Sequence, residues 1–201
     1  MTAKATKATE TETIAIPSIE IGRITIKLTG DSPLIMHKWS EKAKKQMLDK
    51  QMKIATKGRE AKDPEQDFLD CIYHHPDGGY GFPSVAFKNA AVSACRFTDG
   101  TKMTVARGAF HVEGEFVKIE NAEPIPREDM VRVGMGTADI RYRAEFQNWT
   151  ANVRVSYNKR ALSAEQIINL FNLAGFGVGV GEWRPEKDGQ FGRFHVATEG
   201  E

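Results

Sequence analysis

The sequence predicts an α+β fold in which strands and helices alternate in a βαββαβ order. Alternating apolar residues at 19–28 and 149–157 indicate strands, and apolar residues at helical spacing at 85–97 and 164–173 indicate helices. Polar turn residues separate these segments. Two longer segments, at about 37–80 and 121–147, interrupt the order as insertions. The remaining elements follow the plan of a ferredoxin-like sheet.

The first strand leads into two helical segments. The alternation through 19–28 has one register break, and Asp31, Ser32 and Pro33 end the strand. A basic helix is predicted over 41–56, where Gly58 and then Asp63-Pro64 break the pattern. A short helix over 65–73 follows, begun by Pro64.

The middle of the chain is predicted to hold a capped helix and a pair of strands. Ser84 is the expected N-cap of the helix over 85–97. The buried side of this helix is expected to carry Val85, Ala86, Val92 and Phe97. Strands at 105–112 and 115–120 are joined by Glu113-Gly114, which reads as a hairpin turn.

The last third begins with the least regular segment of the chain. Residues 121–147 contain two prolines, Gly134 and Gly136 and a mixture of charges, which predicts an irregular β thumb. A strand over 149–157 follows, with Trp149 expected in the core.

A final helix and strand complete the predicted sheet. Ser163 and Gln166 form a capping box for the helix over 164–173. The last strand is predicted at 190–197.

The composition is that of one globular domain. The chain has 201 residues, of which 40% are hydrophobic, and this is enough for one core. Residues 1–16 are polar and predicted to be disordered, and residues 17–201 are predicted to form a single domain. No stretch approaches the roughly 18 consecutive apolar residues of a membrane span, and no secretory signal is recognisable. A cytoplasmic location is therefore expected.

The two cysteines, Cys71 and Cys95, imply no disulfide framework and favour a reducing compartment. Together with His74 and His75 they allow a zinc hypothesis. The place of Cys95 inside a predicted helix does not fit the spacing of known zinc ligands, so no metal site is predicted.

The formal net charge of +1 argues against a nucleic-acid partner, but the charges are unevenly distributed. Between positions 38 and 62 there are nine Lys or Arg and only three acidic residues. Such a cluster is typical of a surface that binds phosphates. The alternative is a solvated helix whose other face, with Trp39, Ala43, Met47 and Ile54, docks on a core.

The segment 175–194 contains six glycines and an EWRPEKDG stretch. Glycine loses more conformational entropy on folding than any other residue, so this run predicts that a ligand approaches the backbone. The basic side chains Arg184, Lys187 and Arg193 favour an anionic ligand. The structural alternative, a helix cap, a turn and a bulge, explains one or two of the glycines.

Three segments resemble the RAMP superfamily of CRISPR-associated proteins, which are RRM-like RNA binders and processing nucleases. ITIKLTGDSPLIMH is similar to the family's opening strand, YGFPSVAFKNAAVSACRF to its turn and first helix, and 175–194 to its glycine-rich loop. In the second segment Pro83, Ser84, Lys88 and Arg96 match, whereas Asn89 stands where glycine is usual. The likeness is closest to the small backbone subunits of CRISPR effector complexes, which have a helical insertion and a β thumb. A stand-alone or phage-borne relative is equally compatible.

A single-strand binder combines a cationic groove with aromatic platforms for the bases. In this chain Trp39, Tyr142 and Trp183 stand among basic residues, and Ser84 and Lys88 stand at a helix N-terminus that favours a phosphate. The predicted nucleic-acid-binding residues are Lys38, Trp39, Lys42, Lys45, Ser84, Lys88, Arg96, Arg132, Arg141, Arg143, Gly177, Gly179, Gly181, Trp183, Arg184, Lys187 and Arg193.

These observations predict a protein that coats single-stranded RNA or DNA as a repeating oligomer, without a cofactor or obligatory chemistry. Its expected partners are the strand, further copies of the chain and other effector-complex subunits, but no membrane. One alternative is a metal-independent endoribonuclease of the same fold that uses His37 or Asp31. Another is a phage structural or assembly protein whose glycine loop contacts a neighbouring subunit.

Overall fold

The structure is a computed structural model that describes residues 18–54, 61–134 and 136–198. The predicted disordered tail lies outside these ranges, as do Lys57, Gly58 and Arg59 of the basic run. The strands are β1 (Ile21–Gly30), β2 (Leu34–Met36), β3 (Tyr80–Pro83), β4 (Phe110–Val112), β5 (Phe116–Glu120), β6 (Pro124–Val133), β7 (Thr137–Phe146), β8 (Thr150–Asn158) and β9 (Phe194–Val196). The helices are α1 (Glu41–Gln51), α2 (Pro64–Asp70), α3 (Ser84–Ala94), α4 (Met103–Ala109) and α5 (Ala164–Gly177).

An antiparallel sheet forms the centre of the molecule, and this confirms the α+β class. Its strand order is β3-β5-β8-β1-β9, with β4 also paired to β8. The alternation of apolar and polar residues in the sequence gives the strand a buried face, on which Ala151, Val153 and Val155 of β8 are fully buried. Trp149 is also fully buried, as predicted.

Helices α3 and α5 pack on each other and share one apolar core with this sheet. The Phe87 ring of α3 lies 6.3 Å from the Phe194 ring of β9. The predicted capping box begins α5. The Ser163 hydroxyl accepts from the Gln166 N–H at 3.2 Å, and the Gln166 side chain accepts from the Ser163 N–H at 2.8 Å.

Helix α3 begins one residue earlier than predicted. Pro83 is its N-cap and makes no side-chain cap bond, so Ser84 is the first helical residue and not the cap. The buried positions Ser84, Phe87, Ala91 and Ala94 then follow helical spacing. Val85 and Phe97 fall outside this face and are 59% and 54% exposed, contrary to the prediction.

The predicted strand pair after α3 is also corrected. Residues 103–109 form α4, which buries Ala106 and Ala109 three positions apart, so packing overrides the β-propensity of this segment. Strands β4 and β5 do not form a hairpin, because both pair with β8. Gly114 bends the chain between them at φ +82°.

The segment expected to be an irregular thumb is a regular β-hairpin. Strands β6 and β7 pair in register from Pro124–Phe146 to Val133–Thr137, and β2 adds to the other side of β7. Prolines 124 and 126 are tolerated because β6 is an edge strand. Gly134 and Gly136 supply the positive φ angles beside the turn.

Candidate nucleic-acid interface

Three clefts lie next to one another, because each has at least one lining residue in common with the next. The α3 cleft, of about 460 Å³, is lined in part by Ser84, Lys88 and His111. It shares Tyr73, Pro83 and Val85 with the loop cleft, of about 330 Å³, beside 178–186. The loop cleft shares His37 with the α1 cleft, of about 750 Å³.

The α1 cleft lies between α1 and the wall formed by α2 and β7. Ser40 caps α1, and its hydroxyl accepts from the Ala43 N–H at 3.2 Å. Ala43, Met47 and Lys50 share the face of α1 that lines the cleft, next to Trp39. Asp67, Asp70, Arg141 and Tyr142 line the opposite wall.

Helix α1 does not dock on the core, contrary to one of the two sequence interpretations. None of its residues is buried. Trp39, Met47 and Ile54 are 51%, 48% and 50% exposed. Trp39, Ala43 and Met47 of the face identified from the sequence border an open cleft, whereas Ile54 lies beyond the end of α1 and does not line it.

The walls of the α1 cleft differ in charge. Lys38 and Lys50 lie on the α1 side. On the other side, the Lys62 ammonium binds the Asp139 carboxylate at 2.6 Å and also the Ile140 carbonyl, and Arg141 pairs with Asp139 at 3.0 Å. Arg141, a predicted ligand, therefore shares the Asp139 carboxylate with Lys62, so one positive charge of this group is left without a compensating carboxylate among the described residues.

His37 lies where the loop cleft meets the α1 cleft. Its Nδ1 is 4.0 Å from a carboxylate oxygen of Glu182. Burial and the nearby Arg143 charge lower the pKa of His37 below 6.5, against the opposing effect of Glu182. The imidazole is therefore neutral at pH 7, and the junction of the two clefts carries no histidine charge.

The loop cleft is organised by Glu186. Arg96 donates to this carboxylate at 2.6 Å, and Arg184 donates to it at 3.1 Å and to the Gly181 carbonyl at 3.2 Å. Burial alone would raise the pKa of Glu186, but the hydrogen bonds from Arg184 and Arg96 lower it. The structure thus brings two predicted ligands together around a carboxylate.

The glycines of 175–192 are required by close packing within the chain. A Cβ at Gly175, Gly189 or Gly192 would lie 1.7, 1.8 or 1.7 Å from the carbonyl oxygen of Phe194, Trp183 or Val180, respectively. Gly177 lies against the Phe97 ring. Gly179 and Gly181 line the loop cleft, but the Gly179 N–H already donates to the Ala174 carbonyl at 2.8 Å. The structural interpretation therefore accounts for far more of these glycines than expected.

Trp183 and Arg143 form a packed pair. The Arg143 guanidinium lies 5.7 Å from the centre of the Trp183 ring. Arg143 is 4% exposed and pairs with Asp129 at 3.0 Å, so it is a structural group and not a surface phosphate ligand. Trp183 is 40% exposed, and its backbone adopts φ +55°.

Ser84 and Lys88 line the α3 cleft together, as their positions on one helix predict. The Lys88 ammonium is 3.1 Å from Nδ1 of His111. The Ser84 hydroxyl is buried and makes no hydrogen bond to the described residues. The Ser84 N–H donates to the Glu115 carbonyl at 2.9 Å.

The other predicted residues do not line the three clefts. Lys42 and Lys45 lie on exposed positions of α1, Arg132 near the tip of the β6–β7 hairpin, and Lys187 in a short helical turn. Arg193 donates to the Gln190 carbonyl at 3.3 Å. The two candidate catalytic residues do not contact each other. Asp31 pairs with His195 at 2.6 Å and not with His37.

Three cleft residues, Lys50, Lys62 and Tyr73, were absent from the predicted ligands. Lys50 follows Ala43 by seven positions and Met47 by three, so it lies on the same side of α1 as these two residues. Helical spacing would therefore have identified Lys50 as a cleft residue and excluded Lys42 and Lys45. Tyr73 lies between α2 and β3, and no local pattern marks it.

Cys71 and Cys95 are buried free thiols. Burial raises the pKa of Cys71 to about 11, so it is protonated at neutral pH. Within the described ranges, no group of three or more metal-binding side chains is assembled and no helix has the length and apolarity to cross a membrane.

No family model matches the chain, and no curated protein matches it in sequence. Among solved structures, the chain is similar to the crystal structure of Cmr6 from Pyrococcus furiosus, with a TM-score of 0.48 and 13% identity over 90% of this chain and 100% of that one. A similarity at this level does not show a family.

Proposed function

We propose that this protein binds single-stranded nucleic acid along the three joined clefts and coats the strand as a repeating oligomer. The succession of the three clefts, each next to another at shared lining residues, carries this proposal. Aromatic side chains are spaced along the series, with Tyr73 at one junction and Trp39 and Tyr142 in the α1 cleft. Cationic side chains with such platforms are what a sequence-tolerant binder needs.

The finer fold assignment supports the same proposal. The strand order β9-β1-β8-β4, with α3 and α5 as the connecting helices, is compatible with a ferredoxin-like βαββαβ plan carrying insertions at α1–α2 and at the β6–β7 hairpin. The three segments that resemble the RAMP superfamily occur in the matching order. We therefore place the chain, as a hypothesis, among RAMP-like RNA binders, with partner subunits of an effector complex as a further expectation.

The charges suggest how a strand lies in the clefts. In the α1 cleft the cations exceed the acids by one, since Lys38, Lys50, Lys62 and Arg141 stand against Asp67, Asp70 and Asp139. In the α3 cleft Lys88 is matched by Glu115, and in the loop cleft Glu182 and Glu186 exceed Arg184 by one. A phosphate is attracted by an excess of cations and repelled by an excess of acids, so phosphates are expected in the α1 cleft and bases in the loop cleft.

A matched pair of lysine substitutions on α1 tests the proposal. Lys50→Ala removes a cation that lines the α1 cleft, and Lys45→Ala removes one from the same helix outside it. Fluorescence polarisation of a short labelled oligouridylate is measured over a range of salt concentrations. Lys50→Ala is expected to weaken binding and to lower the salt slope by about 0.7, whereas Lys45→Ala leaves both nearly unchanged. Equal effects of the two substitutions would contradict the proposed path.

The same samples separate the two alternative functions. The labelled strand is expected to remain intact without metal, whereas cleavage that is lost in His37→Ala or Asp31→Ala would establish an endoribonuclease. Assembly without any strand binding would instead favour a structural or assembly protein. A parallel titration with oligothymidylate compares RNA with DNA.

A further inference from the structure

The loop cleft has the size and lining of a pocket for one nucleobase. Its volume of about 330 Å³ is at the lower end of the range for small-molecule sites. More than half of its lining residues are apolar or aromatic, Phe82, Val85 and Val180 among them. The Tyr73 ring also lines the cleft and is held edge-on against Phe82, with 5.9 Å between the ring centres. A flat aromatic ligand therefore finds apolar and aromatic surface in this cleft.

Glu182 is the acid of this cleft whose charge has no cationic partner. Its carboxylate lies 4.0 Å from Nδ1 of the neutral His37 and makes no ion pair with a Lys or Arg among the residues that the structure describes. By contrast, the Glu186 carboxylate accepts from both Arg96 and Arg184. An uncompensated carboxylate repels a phosphate but accepts hydrogen bonds from N–H groups. In a nucleic-acid cleft, its ligand is therefore the donor edge of a base.

Tyr73 and Glu182 lie near each other in the cleft lining. Burial raises the pKa of the Tyr73 hydroxyl, Lys44 opposes this effect, and the Glu182 charge adds to it. Such an effect falls off with distance, so the carboxylate is close to the hydroxyl. The aromatic surface and the acceptor thus occupy neighbouring parts of one pocket.

Asn89 brings a second polar group to the same pocket. It follows Val85 by four positions on α3, so the two side chains are neighbours on the helix face that lines the cleft. Its amide makes no hydrogen bond within the described part of the chain. An amide offers N–H donors, which the Glu182 carboxylate lacks. The pocket therefore presents both acceptors and a donor to a ligand.

Guanine is the base whose edge fits this pair of groups. Proteins read single-stranded bases on the Watson–Crick edge, where guanine carries two neighbouring donors, N1–H and the N2 amine, followed by the O6 acceptor. A carboxylate takes two such donors in two parallel hydrogen bonds. On adenine, cytosine and uracil, an acceptor stands directly beside the donor and is repelled by the carboxylate charge.

We propose that the loop cleft selects guanine at one position of the bound strand. Glu182 accepts from N1–H and the N2 amine, Asn89 donates to O6, and Tyr73 supplies stacking surface. This inference rests on the proposed function, which brings bases into the loop cleft. It adds one base-specific position to a path that otherwise holds the strand through phosphates and stacking.

Short labelled oligouridylates that carry one central guanosine, inosine or adenosine test the pocket by fluorescence polarisation. Inosine has the N1–H and O6 of guanosine but lacks the N2 amine. Wild type is expected to bind the guanosine strand roughly tenfold or more tightly than the inosine strand, because one hydrogen bond to a charged acceptor is lost. The inosine strand is expected to bind more tightly than the adenosine strand, which lacks N1–H and O6.

Two variants separate the two contacts. Glu182→Gln replaces one acceptor oxygen by an amine, so the difference between guanosine and inosine should fall below about twofold. Asn89→Ala removes the donor to O6, so it should lower the preference for both guanosine and inosine over adenosine. Glu20→Gln removes an exposed carboxylate outside the three clefts and should leave both ratios unchanged. Ratios between strands cancel any uniform effect of charge, and circular dichroism checks folding.

The outcomes distinguish this inference from the proposed function. Equal affinities of wild type for the guanosine and inosine strands, or a preference that survives in Glu182→Gln, would overturn the inference. Oligouridylate binding without a guanosine preference would leave the proposed function intact.

A titration with guanosine 5′-monophosphate against inosine 5′-monophosphate tests the pocket without any strand. Larger NMR shifts of the Glu182 and Asn89 amides with the guanine nucleotide would support the pocket, even if no strand binds and the proposed function is refuted. Equal shifts with both nucleotides, or none with either, would overturn the inference.

Discussion

Helix α1 and the glycine segment 175–192 were both predicted to contact a nucleic acid, yet the glycine segment packs tightly against the rest of the chain and α1 does not. Glycine positions 175, 189 and 192 lie against carbonyl oxygens of the protein itself. No residue of α1 is buried. The comparison teaches that a glycine run shows where a backbone is approached closely, but not whether a ligand or the protein approaches it.

The largest expected effect is on stability in the glycine segment. Gly192→Ala combines a backbone at φ +64° with a Cβ placed 1.7 Å from the Val180 carbonyl oxygen. The strain and the overlap together are expected to lower the free energy of unfolding by about 3 kcal/mol or more. Urea unfolding followed by circular dichroism measures the change.

The control for this substitution is Gly108→Ala in α4. A Cβ there meets no atom within 4 Å, so a gain of up to about 1 kcal/mol is expected. If Gly192→Ala proved as mild as Gly108→Ala, the packing role of the glycine segment would be refuted.

The next effect contrasts two exposed tryptophans, one from each region. Trp39→Ala removes an aromatic side chain from the α1 cleft, and stacking of one base is worth about 1 to 3 kcal/mol. A loss of affinity of roughly 5- to 150-fold for oligouridylate is expected, with little change in stability. Fluorescence polarisation and urea unfolding measure the two quantities.

Trp183→Ala is expected to show the opposite behaviour. Its ring packs over the Arg143 guanidinium, so its loss should lower the free energy of unfolding by about 1 to 3 kcal/mol. The affinity for the strand should change little. The contrast between the two tryptophans would be refuted if Trp183→Ala weakened strand binding more than Trp39→Ala and left the free energy of unfolding unchanged.

A smaller effect concerns His37, where the two regions meet. Its pKa in the folded state is below 6.5, so the unfolded chain binds more protons in the interval between the folded value and 6.5. The stability associated with neutral His37 is therefore complete above about pH 6.5 and is lost as the pH falls towards the folded pKa. Urea unfolding at a series of pH values should show this loss, and His37→Gln should reduce it.

An NMR titration of the His37 ring checks the cause of the shift. The midpoint is expected below 6.5, and Glu182→Gln should lower it further because the Glu182 charge raises it. A midpoint at or above 6.5 would show that burial and Arg143 do not control this imidazole.

The smallest expected effect is on the stability of α1. Leu48→Ala removes a side chain that is 53% exposed, so the free energy of unfolding should change by no more than about 0.5 kcal/mol at low protein concentration. A loss comparable to that of Gly192→Ala would mean that α1 packs against the monomer after all.

Local patterns in the sequence determined the elements whose hydrogen bonds and periodicity are themselves local. The capping box at Ser163 and Gln166, the alternation of β8 and the start of α1 after Ser40 were all readable, because each depends on neighbours within a few positions. The α+β class follows from their order. The basic character of α1 was also readable from composition alone.

Tertiary structure decided where each of these surfaces faces. The pairing of both β4 and β5 with β8, the burial of Arg143 beside Asp129 and the filling of the glycine positions by Phe194, Trp183 and Val180 are contacts between distant parts of the chain. Side-chain chemistry determines which groups a residue is able to bind. Only the packing of remote segments determines whether it binds the protein itself or remains open to a ligand.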